Sequence, residues 1–305
     1  MSDDPPTTCR ACGQPAVDDD RFCEACGAPL TPGVVVDVAD RRELDGGVAG
    51  GVTDRGRVHR RNEDAMHVAQ VGDAVLAIVC DGVSSSAAAA DASSAAVEAG
   101  ASVLASTLGD EHADRVAAMR GAITAALDAV VQVPWTRTRR RGAPACTFLG
   151  ATWDGHGITI GAVGDCRGYW VSDDAVKQLT VDDSWVQEQV DVGELTYDEA
   201  ERHPYAHAIT RWLGEDAPGG AARVTTFVPT APGRLLLCSD GLWNYAPTTE
   251  RIAALVRAHP PSTSAIDVAR ALTRVALTAG GRDNITVVVV DITPSHVTAQ
   301  HGEAS

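Results

Sequence analysis

Short apolar runs of strand length recur through the large central part of the chain, and turn residues bound most of them. Such runs predict strands at residues 75–80, 147–153, 158–163, 168–171, 176–179, 235–238 and 285–292. Runs of about four to eight aliphatic and β-branched residues favour buried strands. Asp154-Gly155, between two of these runs, is a hairpin signal.

Longer stretches with helical character separate these runs. Two Ala-rich stretches predict helices at residues 87–108 and 113–131, and two further helices are expected at 249–258 and 264–278. Strands that occur in groups, with helices in pairs, favour a layered α+β fold. We therefore expect a central antiparallel β-sandwich flanked by helices on both faces.

Acidic residues stand at the ends of several predicted strands. Asp-Gly after a strand is common turn chemistry, and we interpret Asp154-Gly155 as such a turn without a catalytic role. The other acidic clusters, taken together, suggest a shared site, because carboxylates at the ends of core strands can converge at one edge of a sandwich. The acidic clusters are Arg60-Arg61-Asn62-Glu63-Asp64, Asp81-Gly82, Gly164-Asp165-Cys166-Arg167, Ser239-Asp240-Gly241 and Arg282-Asp283-Asn284.

Carboxylates that converge repel one another unless cations lie between them. Hard oxygen ligands of this kind suit Mg²⁺ or Mn²⁺. Two such ions could neutralise a phosphomonoester dianion, lower the pKa of a bridging water and stabilise charge on the phosphoryl oxygens. The resulting hydroxide could attack phosphorus in line, so no covalent enzyme intermediate and no nucleophilic Ser or Cys is required.

These clusters resemble, in order and approximate spacing, the signature of the type 2C metal-dependent serine/threonine protein phosphatases. The likeness spans residues 50–292, and weaker matches at 179–182 and 208–214 resemble the edges of that family's flap segment. The residues that carry the main resemblance are Asp54, Gly56, Asn62-Glu63-Asp64, Asp81-Gly82, Gly164-Asp165, Arg167, Ser239-Asp240-Gly241-Leu242 and Asp283-Asn284-Ile285-Thr286.

The resemblance implies a role for each matching acidic residue. Asp81 would bridge two metal ions, and Asp240 and Asp283 would complete the coordination of the first. Glu63 and the Gly82 carbonyl would bind the second. Asp165, together with Asp240, would hold a third, weaker ion, and water would fill the remaining positions. The substrates implied are phosphoserine and phosphothreonine in proteins.

Three positions depart from the family pattern. Relatives have Arg four residues before the Glu of the first motif, where it binds substrate phosphate, and this chain has His59. A protonated His59 or a neighbouring Arg would have to replace it, and a surface His in a loop is the alternative interpretation. The second motif continues as Val83-Ser84-Ser85-Ser86 without His, which leaves the leaving-group acid unassigned; these serines could instead cap a helix.

The third departure is Asp183, which stands where the flap motif usually carries His. Residues 184–205 are expected to form the flap, so this departure bears on substrate choice and on the affinity for a third ion. The basic run at 137–141 is interpreted as a solvated loop, with a patch that guides phosphopeptides as the alternative.

The N-terminal region carries a separate signal. Cys9, Cys12, Cys23 and Cys26 form two Cys-x-x-Cys pairs, each followed by Gly. Four thiolates match tetrahedral Zn²⁺, and metal binding would supply the folding free energy of so short a segment. This pattern resembles a zinc ribbon with one structural zinc; disulfides or a redox pair are the competing interpretations. The other cysteines, Cys80, Cys146, Cys166 and Cys238, are interpreted as buried apolar residues.

The net charge and the two terminal segments lead to the remaining expectations. The formal net charge of −16 argues against nucleic acid and anionic membranes as partners, and the acidic N-terminus is unlike a signal peptide, so a cytoplasmic protein is expected. We expect a zinc ribbon at 1–30, a linker at 31–47, a phosphatase domain at 48–293 and a disordered tail at 294–305. The alternative function is a weak or inactive phosphatase-like regulator that docks partners through the ribbon.

Overall fold

The computed structural model describes residues 33–294 except 39, 111 and 139–140, with side chains described from Val38 onward. The predicted zinc ribbon and all of the predicted tail except Pro294 lie outside these residues. The strands are β1 (Gly33–Val38), β2 (Arg41–Asp45), β3 (Ala49–Asp54), β4 (Ala65–Val71), β5 (Ala74–Cys80), β6 (Ala145–Cys146), β7 (Phe148–Trp153), β8 (Ile158–Val163), β9 (Arg167–Ser172), β10 (Val176–Gln178), β11 (Leu213–Gly214), β12 (Arg223–Phe227), β13 (Gly233–Cys238) and β14 (Ile285–Ile292).

Seven helices lie between the strands along the described part of the chain. Their bounds are α1 (Ala89–Thr107), α2 (Arg115–Val131), α3 (Trp185–Asp191), α4 (Tyr197–Ala200), α5 (Asp240–Trp243), α6 (Thr249–Arg257) and α7 (Ala265–Ala279). All seven predicted strands and all four predicted helices are present, with ends that differ by at most about two residues, which is the usual uncertainty of element ends.

Two antiparallel sheets form the centre of the fold. One has seven strands in the order β1-β2-β3-β14-β13-β9-β10, and the other has five in the order β12-β8-β7-β5-β4. Apolar side chains from both sheets meet in one cluster, with Val79 and Leu149 on the five-stranded side and Leu237 and Val288 on the other. The expected β-sandwich is therefore confirmed.

Helices cover the outer face of each sheet. Helices α1 and α2 pack on the five-stranded sheet through a cluster that includes Leu104, Met119 and Phe148. Helices α6 and α7 pack on the seven-stranded sheet through Ile252, Leu272 and their neighbours. Burial of both faces explains why the central strands read as continuous apolar runs rather than as alternating ones.

The segment interpreted as a linker, 31–47, instead carries β1 and β2, and β2 pairs antiparallel with β3. The charges that suggested a linker are paired within the fold. Glu43 is 4% exposed and accepts from Arg41 at 2.7 Å and from Arg270 of α7 at 2.8 Å. The sheet therefore begins before the domain boundary expected at residue 48.

No helix among the residues that the structure describes combines the length and apolar character needed to cross a membrane.

Candidate metal-dependent active site

Strand register brings the predicted acidic residues to one end of the sandwich. Cys238, the last residue of β13, lies opposite Arg167 at the start of β9 and opposite Val287 near the start of β14. The residues just beyond these strand ends therefore become neighbours. They are Asp240 after β13, Asp165 before β9 and Asp283 before β14.

The five-stranded sheet contributes Asp81 to the same end. Asp81 follows β5; its backbone N–H donates to Thr147 Oγ1 at 2.9 Å, and its carbonyl accepts from the Thr147 N–H at 2.8 Å. A cleft of about 510 Å³ opens between the two sheet ends. Four of the predicted ligands, Asp81, Asp165, Asp240 and Asp283, line it together with Gly82.

Glu63 lies beside this cleft rather than among the residues that line it. Its carboxylate accepts from the Ser84 hydroxyl at 2.8 Å, and Ser84 does line the cleft. The Glu63 carbonyl accepts from the Gly82 N–H at 3.1 Å and from the Ser93 hydroxyl at 2.6 Å. The first and second motifs are thus joined directly.

The serines after Gly82 do not cap α1, in contrast to the alternative drawn from the sequence. The N-cap is Ala88 in a left-handed conformation (φ 50°), with no side-chain hydrogen bond at the cap. Ser84 instead holds Glu63, so this departure from the family pattern bears on the position of a candidate ligand.

The carboxylates destabilise one another in their charged forms. Burial, followed by the charges of the neighbouring aspartates, raises the pKa of Asp81 and Asp240 well above the usual range. Burial and the charge of Asp182 raise the pKa of Asp165 to about 7. A bound cation would stabilise the charged forms of these acids.

The donor set fits hard divalent cations. Oδ1 of Asp240 is buried without a hydrogen-bond partner, which leaves it available to a cation. A Cβ at position 82 would lie 2.6 Å from the Glu63 carbonyl oxygen and 2.7 Å from that of Ala89, so only glycine fits between the two motifs. Oxygen-only donors suit Mg²⁺ and Mn²⁺.

The acidic side chains are distributed around the cleft and are not gathered at one ion position. Within residues 33–294, as far as they are described, no three His, Cys, Asp or Glu side chains form a closed group that could hold an ion. Binding by these residues would therefore require side-chain rotation toward a shared ion, with water or substrate oxygens in the remaining positions.

Asp64 has no role assigned from the sequence, yet it is buried next to the site and bonded to two of its motifs. Its Oδ2 accepts from the hydroxyls of Ser239 (2.9 Å) and Thr286 (2.7 Å), while Oδ1 has no partner. Burial raises its pKa to about 6, against the opposing effect of these two hydrogen bonds. Asp64 therefore ties the first motif to the β13 and β14 motifs. Two sequence signals could have indicated this role. Asp64 follows Glu63 directly, and the two later motifs carry the hydroxyl residues Ser239 and Thr286.

Asn284 joins the loop of the first motif to the start of β14. Its Oδ1 accepts from the Glu63 N–H at 2.8 Å, and its Nδ2 donates to the carbonyls of Arg55 (2.8 Å) and Arg61 (3.1 Å). His59, in that loop, lies with Nε2 3.2 Å from Oδ1 of Asp283. His59 is therefore adjacent to the cleft, although it does not line it.

The segment expected to be the flap contains α3 and α4 and returns to the cleft, where His207 and Ile209 line it. His207 was not selected from the sequence, since it lies beyond the expected flap end at residue 205. Aromatic side chains gather on this segment: the rings of Trp185 and His203 stack with centroids 4.3 Å apart, and Tyr205 stands edge-on to Trp185 at 6.0 Å.

Two buried acids attach this segment to the sandwich. Asp182 forms an ion pair with Arg167 at 2.7 Å, and the Arg167 guanidinium lies 3.7 Å from the centre of the Trp243 ring. Asp183 accepts from the Gly164 N–H at 3.2 Å and from Arg223 Nε at 3.2 Å. Asp183, the third departure, is thus an anchor of the flap.

The cysteines of the described region are free and buried, as expected. Burial raises the pKa of the Cys80 and Cys166 thiols, so the thiolate form that a nucleophile requires is disfavoured.

A helix-flanked double sheet with carboxylates gathered at one edge defines a metal-dependent phosphatase, and comparisons with known proteins agree. The Protein phosphatase 2C family profile matches residues 54–275, and a zinc-ribbon domain profile matches residues 8–30. The chain belongs to the protein phosphatase 2C family and is a serine/threonine protein phosphatase, with an N-terminal zinc ribbon. The resemblance drawn from the motifs is confirmed.

Relatives are similar over most of the chain. The serine/threonine phosphatase stp of Listeria welshimeri is 32% identical over 243 residues, which cover 78% of this chain and 93% of that protein. The serine/threonine protein phosphatase PstP of Mycobacterium tuberculosis is 33% identical over 242 residues, which cover 79% of this chain and 44% of PstP.

Solved structures show the same fold. A crystal structure of M. tuberculosis PstP matches with a TM-score of 0.67 and 30% identity, covering 80% of this chain and 98% of that one. The catalytic domain of PstP in complex with two manganese ions matches with a TM-score of 0.63 and 29% identity, covering 80% and 97%.

Proposed function

We propose that this phosphatase hydrolyses phosphoserine and phosphothreonine in proteins with two or three Mn²⁺ or Mg²⁺ ions and without a covalent enzyme intermediate. The observation that supports this most directly is the meeting of Asp81, Asp165, Asp240 and Asp283 around one cleft. Burial and neighbouring acids raise the pKa of Asp81, Asp165 and Asp240, and one oxygen of Asp240 has no partner; such groups are suited to divalent cations.

Each candidate ligand has a proposed place. Asp81 would serve two ions, Asp240 and Asp283 the first, and Glu63 with the Gly82 carbonyl the second. Asp165 would hold a third ion together with Asp240. When bound, such ions supply positive charge at the phosphoryl oxygens and lower the pKa of bound water.

Residues of the chain itself would orient this set. Ser84 holds the Glu63 carboxylate, Asn244 donates to Oδ2 of Asp240 at 3.1 Å, and Ser239 and Thr286 hold Asp64. His59, 3.2 Å from Asp283, is placed to contact a substrate phosphate from the side of the first motif.

The proposal is tested by hydrolysis of p-nitrophenyl phosphate and of a phosphothreonine peptide, with Mn²⁺ and with chelator. Activity should require the metal. The His59→Ala variant should raise KM or lower kcat; unchanged values of both would remove His59 from the site. If the wild-type protein shows no metal-dependent turnover of either substrate, the alternative function, a phosphatase-like regulator, would be favoured.

Absence of a covalent intermediate has its own test. Ser84 is a hydroxyl that lines the cleft beside a carboxylate, so it is the group to exclude. Rapid acid quench during turnover of a ³²P-labelled phosphopeptide should trap no labelled protein, and Ser84→Ala should keep measurable turnover. Labelled wild-type protein that disappears in Ser84→Ala would overturn this part of the proposal.

We also propose that Cys9, Cys12, Cys23 and Cys26 bind one structural Zn²⁺ and that the ribbon docks protein partners. The zinc-ribbon profile match over residues 8–30 supports the thiolate site.

A further inference from the structure

Four arginines are exposed at one side of the cleft mouth. They are Arg57, Arg60, Arg61 and Arg282. Across the described residues, none of the four forms an ion pair, whereas nearby Arg41 and Arg55 are paired with acids. In a chain with a formal net charge of −16, four unpaired cations on one side of the active site require an explanation.

The two loops that carry these arginines are joined to each other. The Arg57 N–H donates to the Gly281 carbonyl at 2.7 Å, and Asn284 Nδ2 donates to the Arg61 carbonyl at 3.1 Å. The His59–Asp283 contact at 3.2 Å adds a third link. The loops 55–62 and 280–284 therefore form one surface, which we call the arginine ledge and define by Arg57, Arg60, Arg61 and Arg282.

The ledge lies outside the floor of the cleft. Arg282 lines the cleft beside Asp283, but Arg57, Arg60 and Arg61 do not. Of these four arginines, only Arg282 is in the lining that would surround a phosphoryl group seated among the floor carboxylates. The other three arginines are on the loop beside the cleft and not in its lining, so we expect them to be within reach of the chain that flanks the phosphoryl group in a protein substrate.

We propose that the arginine ledge binds Asp and Glu side chains that flank the phosphorylated residue of a substrate, so that this enzyme prefers acidic phosphopeptides. The inference rests on the proposed function. Guanidinium groups pair with carboxylates in a bidentate geometry that lysine does not match. An extended peptide advances about 3.3 Å per residue, so acidic residues within a few positions of the phosphoresidue could reach the ledge.

Charge complementarity favours this occupant. A strongly acidic protein repels an acidic peptide at most of its surface, so the ledge would be the approach by which such a substrate is tolerated. The same net charge disfavours nucleic acid, which needs an extensive basic surface. The basic run at 137–141 is a weaker candidate, because the Arg141 guanidinium donates to the Ser86 carbonyl at 3.3 Å.

The test compares three phosphothreonine peptides that differ only in their flanks, which carry Glu, Ala or Lys. With Mn²⁺, wild-type kcat/KM for the Glu peptide should exceed that for the Ala peptide by about three- to tenfold, as expected for two or three exposed charge pairs. The Lys peptide should be the poorest. Raising the salt concentration from about 0.05 to 0.5 M should reduce the preference, because exposed charges are screened.

The Arg60→Glu/Arg61→Glu double variant should abolish or reverse the preference for the Glu peptide. The matched control is Arg120→Glu/Arg251→Glu, which changes the net charge equally at exposed positions on α2 and α6 away from the cleft lining. The control should keep the wild-type ratio of the Glu and Ala peptides. Thermal melts of both variants would establish that each is folded.

The outcomes separate the inference from the function on which it depends. Wild-type enzyme that hydrolyses the three peptides equally, or a control that loses the preference as the ledge variant does, would overturn the ledge alone. A ledge variant that loses p-nitrophenyl phosphate and Glu-peptide turnover in equal proportion would also overturn it, since the arginines would then bind the phosphoryl group itself. No hydrolysis of any peptide by the wild-type enzyme would refute the proposed function.

Discussion

A carboxylate that is partly shielded from water without a counter-charge is an unfavourable group, and at the residue scale the half-buried Asp240 shows how this site uses that property. Its pKa is raised by burial and by Asp165 and Asp283, and one of its oxygens has no partner. The same side chain therefore destabilises the metal-free fold and attracts a cation. Stability without metal and affinity for metal should change in opposite directions when such a residue is altered.

Asp240→Asn tests this opposition. Loss of the charge should lower Mn²⁺-dependent kcat by about 10²-fold or more, as expected when a preorganised electrostatic group is removed. In the presence of chelator the variant should melt at or above the wild-type temperature, with a gain of about 1 kcal/mol at most because the carboxyl is partly open to solvent. Added Mn²⁺ should stabilise the wild-type protein more than the variant. The control is Asp154→Asn, in a turn paired with Arg115, which should keep full turnover.

The raised pKa values of Asp64 and Asp165 predict how stability depends on pH. Each pKa, about 6 and about 7, lies above the unfolded value of about 3.9. Their protonated forms therefore favour the fold below about pH 4, and this contribution is lost as the pH rises toward 7. The melting temperature of the metal-free protein should fall between about pH 4 and 7. Asp165→Asn should flatten the upper part of that fall, and a steady rise in wild-type melting temperature over this range would contradict the assignment.

At the scale of elements, the site depends on loops that cross-link strand ends. Asn284 is 2% exposed, and its amide reaches the Glu63 N–H and the carbonyls of Arg55 and Arg61. One side chain thus fixes the first-motif loop against the start of β14. Without it, the segments that carry Glu63 and Asp283 would lose their most buried link.

Asn284→Ala should cost about 2–4 kcal/mol of unfolding free energy, because three hydrogen bonds are lost and buried backbone groups are left unsatisfied. Urea denaturation with chelator measures this cost. Gln70→Ala, which removes an exposed bond to the Gly72 carbonyl, is the control and should change stability by less than about 0.5 kcal/mol. The stabilisation that Mn²⁺ gives should also fall in Asn284→Ala, and an undiminished metal response would show that the loop does not position the ligands.

The strands that sequence patterns predicted and those that they missed differ for a physical reason. β8 and β14 are buried on both faces, so they appear as unbroken apolar runs, and both were predicted with their observed bounds. β3 contains Gly50 and Gly51, which disfavour a strand prediction. A Cβ at position 50 would collide with the Ile266 backbone, so this glycine allows α7 to pack directly on the strand, a requirement that local sequence does not reveal.

The candidate site was predictable where acids follow or precede apolar runs, as at Asp81, Asp240 and Asp283. It was less predictable where a residue acts through long-range partners. The hydrogen bonds of Asp64 to Ser239 and Thr286 join residues more than 170 positions apart, and Arg57, Arg60 and Arg61 share a surface with Arg282 only because two loops are joined. Such contacts depend on strand register, which spacing along the chain does not specify.

At the scale of the whole molecule, the chain should carry two kinds of metal site with opposite chemistry. The ribbon offers four soft thiolates in two short knuckles, while the phosphatase cleft offers carboxylate and carbonyl oxygens that leave positions open to water. Zinc held by thiolates would be part of the fold of the ribbon and slow to leave, whereas ions in the cleft would exchange. The two functions should therefore separate under chelation and under substitution.

Cys23→Ser/Cys26→Ser tests this separation. The full-length wild-type chain should retain about one Zn²⁺ after brief chelation that removes Mn²⁺ and activity, and restored Mn²⁺ should restore turnover. The double variant should lose zinc yet keep kcat/KM for p-nitrophenyl phosphate within about twofold, since no ribbon cysteine is proposed as a ligand in the cleft. Cys146→Ala is the matched control: Cys146 is buried in the phosphatase domain, so this variant should keep its zinc. Metal analysis alongside the assay would decide the matter, because a loss of turnover in step with the loss of zinc would mean that the ribbon is structurally required by the catalytic domain.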